Sequence, residues 1–205
     1  CNGYLAGELA VVPSGGAVGP APHLVGLRAA ALGRLTDPQA LVIAGVGALV
    51  ERMPAEAAEP LMLCRGGQVD GELVELLTTM GYERVQQVEE RGEVAVRGGI
   101  VDCYPTTADQ PVRIDMFGDD VDDIRVFSPF TQVTIGKIAE IAIWPAAEPA
   151  GELADTAELI GGVAVVRLAP NTFASALNEA ISLAEDEAAA GALGDPDRLL
   201  ATLSE

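Results

Sequence analysis

The sequence predicts a mixed α/β fold: a partial parallel-sheet α/β domain interrupted by an inserted α+β module with an antiparallel sheet. Three observations predict it. Near the start, long uninterrupted apolar runs alternate with helix-spaced ones, as strands and helices do in a parallel layer. From residue 66 the runs become short, alternate in period two and are separated by Gly, Asp, Pro or Thr, which is the pattern of antiparallel strands. From residue 149 the long apolar runs return. The expected divisions are 1–65 for the first part of the α/β domain, 66–148 for the module and 149–205 for the return to the α/β domain.

The elements follow in order. "GELAVVP" reads as a short buried strand ended by proline, and "SGGAVGPAP" as a loop. "HLVGLRAAALGRL" places Leu24, Leu27, Ala31 and Leu35 at helical spacing, and "TDP" stops it. "ALVIAGV" is a continuous apolar run, expected as a strand buried on both faces, and "GALVERM" begins a short helix. "LMLCRGGQ" is a strand and turn. "VDGELVELLTTMGY" carries Leu73, Leu76, Leu77 and Met80 on one stripe, with Gly81 where a C-terminal cap belongs. "RVQQVEE", "EVAVRGGIVDCY", "PVRIDMFG", "DIRVF" and "IAEIAIWP" are the expected antiparallel strands. "GGVAVVRLAP" is a further strand, followed by a helix in "NTFASALNEAISLAEDEAAAG" with Asn171 or Thr172 as N-cap and Gly191 as stop.

Composition narrows the function. Hydrophobic residues make up 49% of the 205 and aromatics 4%, so the core is built mainly of Ala, Val, Leu and Ile. The net charge is −19, and residues 66–150 hold sixteen acidic groups against six basic ones. No segment clusters Lys and Arg as phosphate neutralisation requires, so the expected direct partner is a protein. Three widely spaced cysteines (Cys1, Cys64, Cys103) fit a reducing cytoplasm better than a disulfide framework. His23 is the only histidine, which argues against a His-based triad or zinc set. No apolar run reaches membrane-spanning length. The chain opens with Cys1 and is expected to be a fragment of a longer protein.

"GDDVDD" holds four aspartates in five positions but lacks the spacing of a calcium loop, and reads as a hairpin turn with solvated acids. "TIGKIAE" lacks the upstream glycine and the hydroxyl of a phosphate loop. No catalytic residue, cofactor site or metal site is expected. In "PVRIDMFG", period two sends Val112, Ile114 and Met116 to a core face, and Arg113, Asp115 and Phe117 to the other. "VAVRGG" does the same with Val94 and Val96 against Ala95 and Arg97. If the strands pair, Arg97, Arg113 and Phe117 share a surface. Two readings stand at this point: an interaction hot spot, for which arginine and aromatics are the enriched residues, or arginines that balance neighbouring carboxylates.

The stretch "GYERVQQVEERGEVAVRGGIVDCYPTTADQPVRIDMFGDDVDDIRVFSPFTQVT" resembles the UvrB-homology region of bacterial transcription-repair coupling factors, the Mfd family. "ALVIAGVGALVERMP" and "GGVAVVRLAPNTFASALNEAISLAEDEA" look like the elements that flank it there. The resemblance implies a UvrB domain 2-like module that recruits UvrA, with Arg97, Arg113 and Phe117 similar to the contact residues. It implies a parent that is an ATP-dependent double-stranded DNA translocase, which displaces stalled RNA polymerase and acts in the cytoplasm in nucleotide excision repair. ATP and Mg²⁺, the polymerase and DNA would engage parts of that parent outside this chain. UvrB shares the module, so a UvrB-type excision-repair subunit is the alternative, and a motor-less UvrA-binding adaptor a third. "RGGI" in place of the R-G-D usual in UvrB, and the lack of aromatics between Glu8 and Arg65, favour the coupling factor. The sequence departs from the family at Val94, where phenylalanine is usual, and at Val133, where arginine is.

Overall fold

The structure is a computed structural model of the 205-residue chain, and it describes residues 9–12, 21–35, 37, 40–160, 175–182 and 194–202. Strand β1 (Leu9–Val12), helix α1 (Pro22–Arg34), β2 (Leu41–Ala44), α2 (Val46–Val50) and β3 (Arg52–Pro54) come first. Then follow β4 (Leu61–Cys64), α3 (Leu73–Thr79), β5 (Glu83–Arg84), β6 (Glu93–Arg97), β7 (Ile100–Cys103), β8 (Val112–Phe117), β9 (Asp120–Phe127), β10 (Thr134–Ile138) and β11 (Glu140–Ile143). The remainder is β12 (Leu153–Asp155), α4 (Thr156–Leu159), α5 over 175–182 and α6 (Pro196–Thr202). The chain forms two compact units, one of Cys1–Pro20, Ala30–Ala57 and Ala150–Glu205, the other of Ala21–Ala29 and Ala58–Pro149.

In the first unit β1 and β2 pair in parallel, Leu9 beside Leu41 and Val12 beside Ala44. Parallel strands need a crossover, and α1 lies in that connection. β3 pairs antiparallel with β12, braced by an Arg52–Asp155 ion pair at 3.3 Å and by the Thr156 hydroxyl donating to the Glu51 carbonyl at 2.9 Å. Two small cores form, one around Ala31, Leu32, Ala48 and Met53, the other around Val50, Ala157, Leu177 and Leu199. β2 corrects the expectation of burial on both faces. Val42 and Ala44 pack on the first core, while Leu41 and Ile43 are 56% and 42% exposed. The apolar run is continuous, but among the described residues only its even positions join a core. The strand expected at 163–168 and the helix ends expected at 171–172 and 191 lie outside the described residues.

The second unit is built on a six-stranded sheet in the order β10-β9-β8-β7-β6-β5. Every neighbouring pair is antiparallel except β5 with β6. β4 pairs antiparallel with β11, and the chain after β4 continues along the start of β9, with Gly66 N–H donating to the Val121 carbonyl at 2.7 Å and Val69 N–H to that of Asp119 at 2.9 Å. β4 is thus held by residues late in the unit, and it lies in the segment Ala58–Pro149. "RVQQVEE" is expected as a strand, but of it only Arg84 joins the ladder, after Glu83, with the Val85 N–H donating to the Val94 carbonyl at 2.9 Å. Beyond them the Glu93 carboxylate accepts the N–H groups of Glu89 and Glu90 at 2.7 and 2.8 Å. A polar run offers the backbone side-chain partners in place of a ladder.

The core lies on one face of this sheet. Val94, Val101, Cys103, Val112, Ile114 and Ile124 meet Leu73 and Leu77 of α3 and Leu63 of β4. Val94, where the family's phenylalanine is absent, is fully buried. Tyr82 pins the edge of the core: its hydroxyl donates to the Trp144 carbonyl at 2.8 Å and accepts the Thr106 N–H at 3.2 Å. α3 ends as the sequence predicts. Gly81 sits at φ 91°, its N–H reaches the Thr78 carbonyl and the Tyr82 N–H reaches that of Leu77, the paired bonds of a Schellman cap.

Two predictions follow from this packing. A Cβ on residue 81 would lie 2.4 Å from the Ala147 Cβ at a left-handed backbone angle. Gly81→Ala is therefore expected to cost roughly 2–4 kcal/mol, read as a lowered urea midpoint. Burial, and then the Asp102 charge, push the Cys103 thiol far above its ordinary pKa of 9.0. Above that pH the unfolded chain loses the proton and the folded chain keeps it, so stability falls as pH rises. Peptide mapping after maleimide treatment of the native protein should find Cys64, which is exposed, labelled and Cys103 protected.

Candidate functional site: the charged face of the six-stranded sheet

Residues directly opposed in antiparallel strands share a face. Ala95, Asp102, Arg113, Arg125 and Lys137 therefore form one row across the sheet, on the face away from the core. Arg97, Ile100, Asp115 and Asp123 form the next row, and Phe117 follows Asp115 by two along β8. Four of the six basic residues of 66–150 stand on this face. By register, six of the sixteen acidic residues, Glu83, Glu93, Asp102, Asp115, Asp120 and Asp123, fall on it. Four basic groups against six acidic ones is a smaller imbalance than the six against sixteen of residues 66–150.

Two hairpin turns bound one end of it. Arg97 and Ile100 flank Gly98-Gly99, and Gly98 takes φ 65°, as the first central residue of a type II′ turn requires. Phe117 and Asp120 flank Gly118-Asp119. The four-aspartate run is thus a tight hairpin, with Asp120 accepting from Gln68 Nε2 at 2.7 Å and Asp123 paired to Lys137. The Lys137 ammonium holds the Asp123 carboxyl below its ordinary range. Among the described residues no group of three His, Cys, Asp or Glu side chains is placed to hold a metal ion.

Phe117 is 81% exposed. Arg97 is exposed too, its Nη2 donating to the Gln86 carbonyl at 3.2 Å. Arg113 differs from the expectation that it would lie open on the surface. Its Nε and Nη2 donate to the two carboxylate oxygens of Asp102 at 2.6 and 2.7 Å. Its side chain is 16% exposed and that of Asp102 2%. The guanidinium lies over the Phe127 ring, 4.6 Å from its centre, and Phe127 belongs to a small cluster with Val88, Ala95 and Tyr104. Asp102 keeps the guanidinium firmly protonated, its hydrogen bonds raising the pKa. The three candidates therefore share one face, with Arg97 and Phe117 at its turn-bounded end and Arg113 set one row inward.

Sequence reasoning missed Asp102, Arg125 and Lys137. Arg125 Nη2 contacts both oxygens of Asp115 at 2.6 Å, and its buried Nε has no partner among the described residues. Period two in "DDIRVF" would have placed Arg125 with Asp123 and Phe127, but only the register shows that it faces Arg113.

This two-faced sheet defines a class. Residues 61–148 match the UvrB interaction domain family, and they span the sheet with its β4–β11 flank. The chain is 34% identical over 152 residues to the transcription-repair-coupling factor of Bacillus subtilis, covering 72% of this chain and 12% of that protein. It is 37% identical over 131 residues to that of Mycobacterium tuberculosis, 58% of this chain and 10% of the other. To the UvrABC system protein B of Thermotoga maritima it is 38% identical over 87 residues, 42% and 13%. The chain carries a UvrB interaction domain and is, over most of its length, a homologue of the transcription-repair-coupling factors. It spans about an eighth or less of the length of these relatives. Among the described residues no helix is long and apolar enough to cross a membrane.

The burial difference sets a stability prediction. Arg113→Ala leaves Asp102 charged and buried without its partner, which is expected to cost about 3–5 kcal/mol. Phe117→Ala removes a solvent-exposed ring and should change stability by less than about 0.5 kcal/mol. Urea titrations of the two variants check the contrast.

Proposed function

We propose that this chain docks UvrA through the charged face of its six-stranded sheet, with Arg97, Arg113 and Phe117 as contacts. The observation that carries the reading is the concentration of four of the six arginine and lysine side chains of residues 66–150 on one face, beside an 81% exposed phenylalanine. Arginine forks match carboxylates, and a large exposed ring supplies the apolar anchor of a hot spot. The docking partner then presents carboxylates to this face. In this reading the sheet is a UvrB domain 2-like module inserted in a partial parallel α/β domain, and the chain belongs to a cytoplasmic transcription-repair coupling factor. The chain itself recruits and does not catalyse. ATP, Mg²⁺, duplex DNA and RNA polymerase belong to the motor and polymerase-binding parts of such a parent. A UvrB-type subunit would share the module, but the match to coupling factors runs well beyond it, over 72% of the chain against 42%.

Arg97→Glu and Phe117→Ala should each weaken UvrA binding by about thirtyfold, the effect of losing roughly 2 kcal/mol at a hot spot, with melting temperatures unchanged. Calorimetric titration of UvrA with the purified chain reads the affinity. Wild-type affinity in both variants would refute the face.

A further inference from the structure

The docking reading names Arg113 as a contact but leaves open how a long side chain offers a partner one fixed geometry. We propose that Asp102 is the positioning residue of this face: it clamps the Nε/Nη2 edge of Arg113, so that the Nη1/Nη2 edge is presented, already oriented, to a carboxylate of the docking protein. The proposal rests on the docking reading above.

A guanidinium carries five N–H donors in two forks. Asp102 takes the side-on fork, with Nε to Oδ1 at 2.6 Å and Nη2 to Oδ2 at 2.7 Å. Arg113 makes no other hydrogen bond to the described residues, so three N–H groups, including both on Nη1, stay available for a second carboxylate. The Phe127 ring lies beneath the guanidinium plane and restrains its tilt. Asp102 and Arg113 are direct cross-strand partners, so the backbone register sets their approach. At 2% exposure Asp102 cannot touch a docking protein; it can act only through Arg113. The other arginines of the face lack such a clamp, for Arg125 reaches Asp115 through Nη2 alone and Arg97 makes one 3.2 Å bond. A buried ion pair is a weak device for stability, because apolar residues of similar volume do as well or better. Its distinctive contribution is a fixed geometry, and a side chain ordered before binding loses less entropy on binding.

Asp102→Asn in the full chain tests this. It preserves shape, but one acceptor becomes an amide that cannot receive Nη2–H. In the wild type the Arg113 Nε–H should give a shifted, slowly exchanging NMR resonance, and Asp102→Asn, which leaves it one neutral acceptor without the fork, should move it and quicken its exchange. Dissociation from UvrA should quicken and the Kd rise roughly three- to tenfold, the effect of ordering one long side chain. Association should not slow, because the neutralising carboxylate is gone. In the Arg113→Lys background, Asp102→Asn should cause no further loss. An unchanged resonance, an unchanged dissociation rate or an additive loss in that background would each overturn the positioning role while leaving the docking reading standing. Absence of wild-type binding to UvrA would overturn both. If Asp102→Asn does not fold, Phe127→Leu carries the test: it removes the ring under the guanidinium and should move the resonance and the dissociation rate in the same directions, and no movement would sink the proposal.

Discussion

The register of β6 to β9 is the constraint on which the rest of this unit depends. These strands turn their buried apolar residues to one face and most of their charged residues to the other, with one bulge in β9. A slip of one residue would turn Arg113, Asp115 and Arg125 into the core and Val112, Ile114 and Ile124 out to water. The burial of the second set, against α3 and β4, therefore fixes the alignment of the first. The turns reinforce it, since Gly98 and Gly118 both take positive φ in two-residue hairpins, and one bulge at Asp122 carries the β8–β9 pairing from Phe117 opposite Asp120 to Asp115 opposite Asp123. The functional face is held in place by the packing of the opposite one.

Much of this was legible in the sequence. Period two in "PVRIDMFG" was enough to separate Val112, Ile114 and Met116 from Arg113, Asp115 and Phe117, and Gly81 announced the end of α3. Pairing was not legible. That Asp102 stands opposite Arg113, and Arg125 opposite it on the other side, is long-range register that no local pattern encodes. Burial on the charged face was equally hidden. Phe127 looked like any strand residue, and only the fold shows it with Val88 and Tyr104 under a guanidinium. Likewise "ALVIAGV" has the composition of a strand covered twice, yet Leu41 and Ile43 are exposed, because composition reports what a strand tolerates and not what covers it.

The face also shows how one residue type is put to different uses by depth. Arg97 is exposed and makes a single 3.2 Å bond. Arg125 is half engaged, its buried Nε without a partner among the described residues. Arg113 is held by two bonds to Asp102 and is 16% exposed. Long-range attraction depends only on charge and is shared by all three, whereas geometric selectivity belongs to the one whose rotamer is settled in advance.

Helix α1 has a bearing on how this chain comes to be folded. Its first half, residues 21–29, belongs to the unit formed by Ala58–Pro149. Gly26 lies so close to Thr106 that a Cβ there would sit 2.1 Å from the hydroxyl, and Arg28 pairs with Glu148, 120 residues further on. During synthesis these residues leave the ribosome long before the surface that receives them exists. Until Glu148 emerges, the Arg28–Glu148 ion pair cannot form. The sheet can close early from hairpins that are local in sequence, but its docking with α1 is among the most distant contacts in the unit, and contacts of that separation are slow to form.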